Sequence, residues 1–414
     1  MKKLILLFSL GPLVLFAQDK GIHFEHGLNW QQVKEKAKKE TKYVFMDCFT
    51  TWCGPCRFMS TNIFPLQDVG DSMSAHFVSV AVQLDTTAGD NAEVKSWYQQ
   101  GHDIAVQHKV QAYPTYLIFD PNGKIVHRFV GASDATEFLR KVAMALNPQT
   151  QYYTMLDQYR AGKRDTAFLH SMALTAADAY DSQTADAVAD EYIASQTNLY
   201  TKSNLDFISM FTHSSKDRGF DLLLNHEDKV DAVIGKGASD KIVRDIILRE
   251  EVIPNIRQKM QSPEDLSDPD WTGIQSAVQT KYPSKVKEIM SYSKVVFYQT
   301  KGDWNNFASA IVAYMKLYGN SESNDRLNEF AWAVFQNCND MTCVAEALEW
   351  SKRSFANEQN PAYMDTYANI LYKMGKKDHA IQWEEKALNL SSAADRKGYQ
   401  ETIDKMKKGE KTWH

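Results

Sequence analysis

The sequence predicts an α/β domain with a mixed sheet and helices on both faces, followed by an all-helical domain. Three observations carry this. Between about residues 22 and 146, short β-branched and aromatic runs alternate with amphipathic stretches. Beyond about residue 149 strand patterns nearly vanish. The last third repeats a helix–turn–helix pattern with small residues at its packing positions.

Taken in order, Trp30 to Glu40 reads as a charged amphipathic helix with Val33 and Ala37 on its apolar side. Tyr43 to Phe49 is a short apolar run and is expected as a central strand. Cys56 to Ile63 is helical in composition and stops before Pro65. Phe77 to Leu84 places Val78, Val80 and Val82 on one face of a second strand. Ala92 to Gln100 and Ile104 to Lys109 suggest two helical pieces. Thr115 to Phe119 is a third strand. Asp120-Pro121-Asn122-Gly123 is a turn, so Lys124 to Val130 should return antiparallel. Thr136 to Leu146 closes the domain as a helix, stopped by Asn147-Pro148.

Tyr152 to Asn198 is helical and rich in alanine, and Ser262-Pro263 through Asp268-Pro269 reads as a loop between helical subregions. The expected organisation is a leader over 1–17, an α/β domain over 22–146, a helical region over 149–260 and helical repeats over 272–414. From Pro361 to Ser392 the chain fits one unit of the roughly 34-residue kind. Tyr367, Ala368 and Leu371 lie on its first helix, Gly375 at the turn, and Ala380, Ile381, Ala387 and Leu388 on its second. A weaker copy carries Ala331 and Trp332, then Ala347, Leu348 and Trp350, and a fainter one surrounds Gly302-Asp303-Trp304. This pattern resembles a tetratricopeptide repeat.

Length and composition bound the function. The 414 residues exceed one ordinary domain, and 43% hydrophobic with 24% charged residues is the balance of a globular chain with a real core. A net charge of −5 argues against a nucleic-acid partner, which calls for a basic excess. Lys2 and Lys3, the apolar stretch Leu4 to Phe16 and the small Ala17 read as a secretory signal peptide. The stretch is shorter than the roughly 20 residues that span a bilayer, and an uncleaved anchor is the other reading. The expected location is therefore periplasmic, where disulfides persist. Of five cysteines, Cys48, Cys53, Cys56, Cys338 and Cys343, the odd one out is expected to be Cys48, an inert buried thiol.

The chemistry sits in Trp52-Cys53-Gly54-Pro55-Cys56. A Cys-x-x-Cys pair binds zinc when a second Cys or His pair stands nearby, and His76 and His102 form no such pair. A redox pair needs only the two sulfurs, after a strand and at a helix start, and that is the context here. A helix N-terminus offers free N–H groups and partial positive charge, which stabilise a thiolate on Cys53. Cys53 is then the attacking thiol, and Cys56, one turn further in and better shielded, the resolving one. Pro55 suits the first helical turn.

In that strand–helix context the motif is identified as thioredoxin-family. Arg57 follows it where the family usually carries a basic residue, Tyr113-Pro114-Thr115 resembles the family's cis-proline loop, and Gly123 and Gly131 resemble its late hairpin glycines. Arg57, Met59, the strand ending at Asp85 and the helical insert before Pro114 are most similar to the soluble modules attached to membrane thiol–disulfide interchange proteins. The resemblance covers about a quarter of the chain. It implies that Asp47 is a buried carboxylate beneath the cysteines, with a raised pKa that lets it shuttle the proton of Cys56. It implies a cis Pro114 facing the cysteines, with the backbone of Tyr113 pairing an extended substrate. Trp52 is expected as an exposed platform, with Gly54 and Pro55 beside it. One departure stands out: the adjacent strand reads Val80-Ala81-Val82, where the family often places a lysine.

The expected function is thiol–disulfide exchange on protein substrates, with no cofactor or metal beyond the Cys53–Cys56 pair. Gly-Pro between the cysteines resembles the reducing members of the family, and an exported reductant implies a membrane electron donor. The helical repeats suit a client protein. The competing class is a partner-binding repeat protein that uses the α/β domain as a scaffold. Cys338 and Cys343 flank a predicted helix–helix turn and are expected either to bridge as a local structural disulfide or to form a second redox pair.

Overall fold

A computed structural model describes residues 20–262, 265, 267–392 and 395–413. The expected leader and part of the Ser262–Pro269 loop lie outside the described residues. The chain forms two compact units, divided between Ser195 and Gln196.

The first unit opens with helix α1, Trp30–Glu40, whose start is fixed by a reciprocal pair: the Asn29 side chain accepts from the Gln32 N–H, and the Gln32 side chain accepts from the Asn29 N–H. Strand β1, Tyr43–Phe49, leads to α2, Gly54–Phe58, which runs on as a π-helical turn over Met59–Ile63. Helix α3, Gln67–His76, strand β2, Phe77–Gln83, and helix α4, Ala92–Gln107, come next. Strands β3, Thr115–Phe119, and β4, Ile125–Val130, and helix α5, Ala135–Leu146, complete the expected domain. The described strands form one sheet in the order β2-β1-β3-β4, with β1 parallel to β2 and antiparallel to β3, and β3 antiparallel to β4.

Alternation along β1 sends Phe45 to one face and Val44, Met46 and Cys48 to the other. Phe45 packs with Met59, Ile63, Val69, Tyr116, Phe129 and Phe138 under the second, third and fifth helices. Val44, Met46 and Cys48 pack with Val33, Ala37, Val82, Trp97 and Leu117 under the first and fourth. The mixed sheet covered on both faces is thus the expected architecture.

Two glycines lie inside helices that the expected elements omit or divide. Helix α3 is not among those elements, and Gly70 interrupts its apolar stripe of Val69 and Met73. A Cβ on Gly70 would stand 2.3 Å from the Gly21 carbonyl oxygen, so the glycine serves close packing. Helix α4 is one helix, where two pieces were expected around Gly101. A Cβ there would meet Val82 Cγ1 at 3.0 Å, so this glycine lets the helix lie on β2.

The compact unit runs on past the α/β domain expected over 22–146. Helices α6, Tyr152–Arg160, α7, Thr166–Asp178, and α8, Ser182–Ser195, belong to it. The Tyr152 backbone N–H donates to Nδ1 of buried His127 on β4 at 2.9 Å, and Gln151 Nε2 donates to the Ala145 carbonyl at 2.8 Å. Lys141 on α5 pairs with Asp178 on α7 at 2.7 Å.

The second unit is helical throughout its described residues. It runs through α9, Lys202–Met210, α10, Arg218–Asn225, α11, Glu227–Ile234, α12, Ala238–Ile247, a π-helical turn at Leu248–Val252, and α13, Ile253–Met260. After the loop come α14, Trp271–Lys281, α15, Val286–Lys301, α16, Trp304–Tyr318, α17, Asn324–Asn337, α18, Met341–Ser354, α19, Pro361–Lys373, α20, Lys377–Leu390, and α21, Arg396–Lys408. Consecutive pairs α15–α16, α17–α18 and α19–α20 pack as the three helix–turn–helix units expected. Gly375 turns the last pair at φ +79°, and Ala368, Ala380 and Ala387 are fully buried where its helices meet. No described helix is long and apolar enough to cross a membrane.

Candidate active site

The site forms where β1 ends and α2 begins. Cys53 is the residue that caps α2, and its sulfur accepts the backbone N–H of Cys56 at 3.0 Å. That N–H is one of the groups a helix start leaves unpaired, so the helix presents a donor and its positive end to the Cys53 sulfur. Pro55 sits in the first turn, where its missing N–H costs nothing. Cys53 and Cys56 are joined by a disulfide, as expected. One expectation fails in this bonded form: Cys56 is not the better shielded, at 7% exposure against 3% for Cys53. The bonded sulfurs screen one another, so hydrogen bonding, not exposure, separates the two cysteines.

The loop before the motif is held from across the sheet. Asp85, just beyond β2, accepts the Thr51 backbone N–H at 3.0 and 3.1 Å and also the Thr51 hydroxyl. The sequence reading had noted Asp85 only as a strand end. Its carboxylate fixes the backbone two residues ahead of Cys53. Below the motif, Met59 is fully buried in the core and anchors the helix to the sheet.

The second loop of the site carries the Tyr113–Pro114 peptide bond, which is cis. Pro114 is buried, and its carbonyl accepts the Gly131 N–H at 2.9 Å. The Tyr113 ring meets the Trp52 ring edge-on, with centroids 5.7 Å apart. Trp52 is 68% exposed, and Gly54, Pro55 and Phe58 are exposed beside it. The disulfide therefore lies in a rim of apolar and backbone surface made by two loops. Sequence reasoning named Trp52, Gly54, Pro55, Tyr113 and Pro114, and the structure brings Trp52 and Tyr113 into contact.

Asp47 shares the face of Phe45, the side on which α2 and its π-helical extension pack. It is buried, and its Oδ1 has no hydrogen-bond partner among the described residues. Burial alone pushes its carboxyl up to about 7. Its neighbour in register on β2 is Ala81, so no lysine offsets the burial from that position. On β3 the residue opposite is Tyr116, whose buried hydroxyl is likewise pushed upward. Cys48 points to the other face, buried and free, and burial drives its thiol far above the ordinary range.

Cys338 and Cys343 are not bonded to one another: both are buried free thiols. The expected local clip is corrected accordingly. The cysteines stand at the end of α17 and in the first turn of α18. Among the described residues no group of three or more His, Cys, Asp or Glu side chains is placed to hold a metal ion.

Residues 30–145 match the family described as Thioredoxin-like domain. Thioredoxin Y, chloroplastic, of Oryza sativa subsp. japonica is 32% identical over 112 residues, which is 27% of this chain and 56% of that protein. The chain thus spans about half the length of that relative. Thioredoxin H-type of Fagopyrum esculentum is 30% identical over 115 residues, 28% of this chain and 82% of that protein. A solved structure of a putative disulphide-isomerase from Bacteroides thetaiotaomicron is 35% identical, with a TM-score of 0.26, and covers 32% of this chain and 98% of its own. Through residues 30–145 the chain belongs to the thioredoxin family.

Proposed function

We propose that this chain is a thiol–disulfide oxidoreductase, working as an exported protein-disulfide reductase in the periplasm. The observation that carries the reading is the Cys56 N–H donated to the Cys53 sulfur at 3.0 Å at the start of α2. The same donor that meets the bonded sulfur stabilises a thiolate once the bond opens. Thiolate Cys53 attacks a client disulfide and forms a mixed disulfide. Cys56 gives up its proton, for which buried Asp47 is the acceptor, attacks the Cys53 sulfur and releases the reduced client. The two cysteines carry the electrons. Electrons for the next cycle come from a membrane donor, and the exposed Trp52 and the Tyr113 backbone receive the extended client.

Export is supported by Lys2, Lys3, the apolar run Leu4 to Phe16 and Ala17. The reducing direction is supported by Gly54-Pro55 between the cysteines. The helical repeats are proposed to hold the client, which raises its concentration at the active site.

Two measurements test the reading. The purified chain should reduce insulin with dithiothreitol as electron source, and Cys53→Ser should abolish this. Equal rates for the variant and the native chain would remove Cys53 from the mechanism. Equilibration of Cys53–Cys56 with a reference couple should give a potential well below that of glutaredoxins, roughly −200 to −230 mV. A value near the roughly −120 mV of a strong oxidant would make the protein an oxidase.

A further inference from the structure

The second unit carries a cysteine pair of its own, on different elements from the site above. Cys338 ends α17 with extended backbone, φ −97° and ψ 133°. Cys343 stands in the first turn of α18, whose N-terminus is capped by the Asp340 carboxylate accepting from Thr342. Both are reduced. The two thiols lie close enough to interact, which favours a thiolate on Cys338 and a proton on Cys343.

Three features of the surroundings separate this pair from inert core thiols. First, the sulfurs are unequal. The Cys343 S–H stabilises negative charge on Cys338, while Cys343 itself holds its proton. Second, a cation is fixed nearby. Lys373 on α19 donates to the Phe335 carbonyl at 2.5 Å and lowers the Cys338 thiol by its charge. Third, the pair opens on clefts. One of about 450 Å³ is lined by Cys338, Asn337 and Trp304. Another of about 310 Å³ is lined by Cys343, Thr342 and Lys316. Asn305, Ala308 and Asp340 line both, so the turn between α17 and α18 stands against α16, with Cys338 lining one cleft and Cys343 the other.

We propose that Cys338 and Cys343 form a second thiol–disulfide exchange site, whose reactant is a low-molecular-weight disulfide small enough to enter these clefts. Cys338 is the attacking sulfur. As thiolate it displaces one sulfur of the disulfide, forming a mixed disulfide and releasing one thiolate, which takes up the proton Cys338 had lost. Cys343 then gives up its proton, attacks the Cys338 sulfur and releases the second thiolate, which takes that proton. Two cysteine thiols are oxidised to one disulfide, and the small disulfide is reduced to two thiols. The ring closed is short, so the bond restricts the unfolded chain little and stabilises the folded state only weakly against reopening.

The test uses the full chain with Cys53→Ser and Cys56→Ser, so that exchange is read from the second pair alone. The chain is equilibrated in glutathione buffers of rising disulfide-to-thiol ratio, and peptides are mapped by mass after alkylation. The 338–343 disulfide should fill progressively as the ratio rises and empty again when it falls. In the same background Cys343→Ser should accumulate a glutathione adduct on Cys338 at least ten-fold faster than Cys338→Ser accumulates one on Cys343. Thiols that remain alkylatable at every ratio would overturn the proposal, as would a bond that forms but does not reopen. The first arm leaves both cysteines in place, so it stands even if a serine variant fails to fold. Adduct formation equally fast at Cys343 would overturn the assignment of Cys338 as the attacking sulfur.

Discussion

Asp47→Asn isolates the energetic cost of the buried carboxylate. Burial lifts that group from an ordinary 3.8 to about 7 with no partner on Oδ1. Below about pH 4 the acid is neutral in both folded and unfolded chains. Between about 4 and 7 only the unfolded chain ionises, so folding loses stability as pH rises. Above about 7 both forms are ionised and the loss is complete. The gap corresponds to about 4 kcal/mol, or roughly three decades in an opening equilibrium. Asparagine keeps the shape and has no proton to lose, so the variant should show none of this slope. The assay is hydrogen exchange of the peptide spanning β1, read by mass and corrected for the intrinsic rate at each pH. Between pH 4 and 8 the native chain should lose up to about 10³-fold in protection relative to Asp47→Asn, a comparison in which the opposite acid-range trend from His127 cancels. Parallel pH profiles in the two proteins would refute the claim that Asp47 is held neutral by burial.

Other outcomes follow from the same geometry. At neutral pH Asp47→Asn should slow the release of mixed disulfides, seen as accumulation of the Cys53-linked client in quenched-flow samples; unchanged release would remove Asp47 as the proton acceptor. After reduction, iodoacetamide should modify Cys53 faster than Cys56, and equal rates would contradict the thiolate assignment. Asp85→Ala frees the Thr51 N–H and hydroxyl and should cut insulin reduction several-fold while thermal unfolding of the first unit shifts little; a large loss of stability with normal turnover would show that Asp85 merely holds the fold. Burial pushes His127 down to about 3, so between about pH 6.5 and 3 the unfolded chain takes up a proton that the folded one refuses. This contribution opposes that of Asp47, so in the Asp47→Asn background stability of the first unit should fall over that acid range, and adding His127→Phe should abolish the trend while costing about 1–3 kcal/mol for the Tyr152 N–H left unpaired. Cys56→Ser should trap clients on Cys53, and a full chain should trap a narrower set than one ending at residue 195; identical sets would show that the repeats do not select clients. The cut belongs at 195, because one at 148 removes helices that His127 and Lys141 hold to the domain.

Much of the site was legible because its signals are local. A Cys-x-x-Cys between an apolar strand and a helix start places a sulfur on free backbone donors whatever the rest of the chain does. Tyr113-Pro114 and Asp47 became visible by resemblance, and Cys48 by alternation along one strand. The same holds for the last repeat, where Gly375 and the buried alanines sit within one helix pair.

The sequence by itself determined the strands, most of the helices and the cysteine chemistry, since each follows from neighbours a few residues apart. Only the tertiary structure decided the rest. Gly70 and Gly101 look like breaks until Gly21 and Val82 are seen pressed against them. The helices added to the first compact unit are held by contacts such as a histidine of β4 meeting a backbone N–H 25 residues later. The Thr51 loop is fixed by a carboxylate 34 residues away, and the end of α17 is tied to α19 by Lys373 donating to the Phe335 carbonyl. In each case the deciding contact joins residues far apart in the chain. No local pattern records such a contact, because packing brings those residues together only after the elements exist.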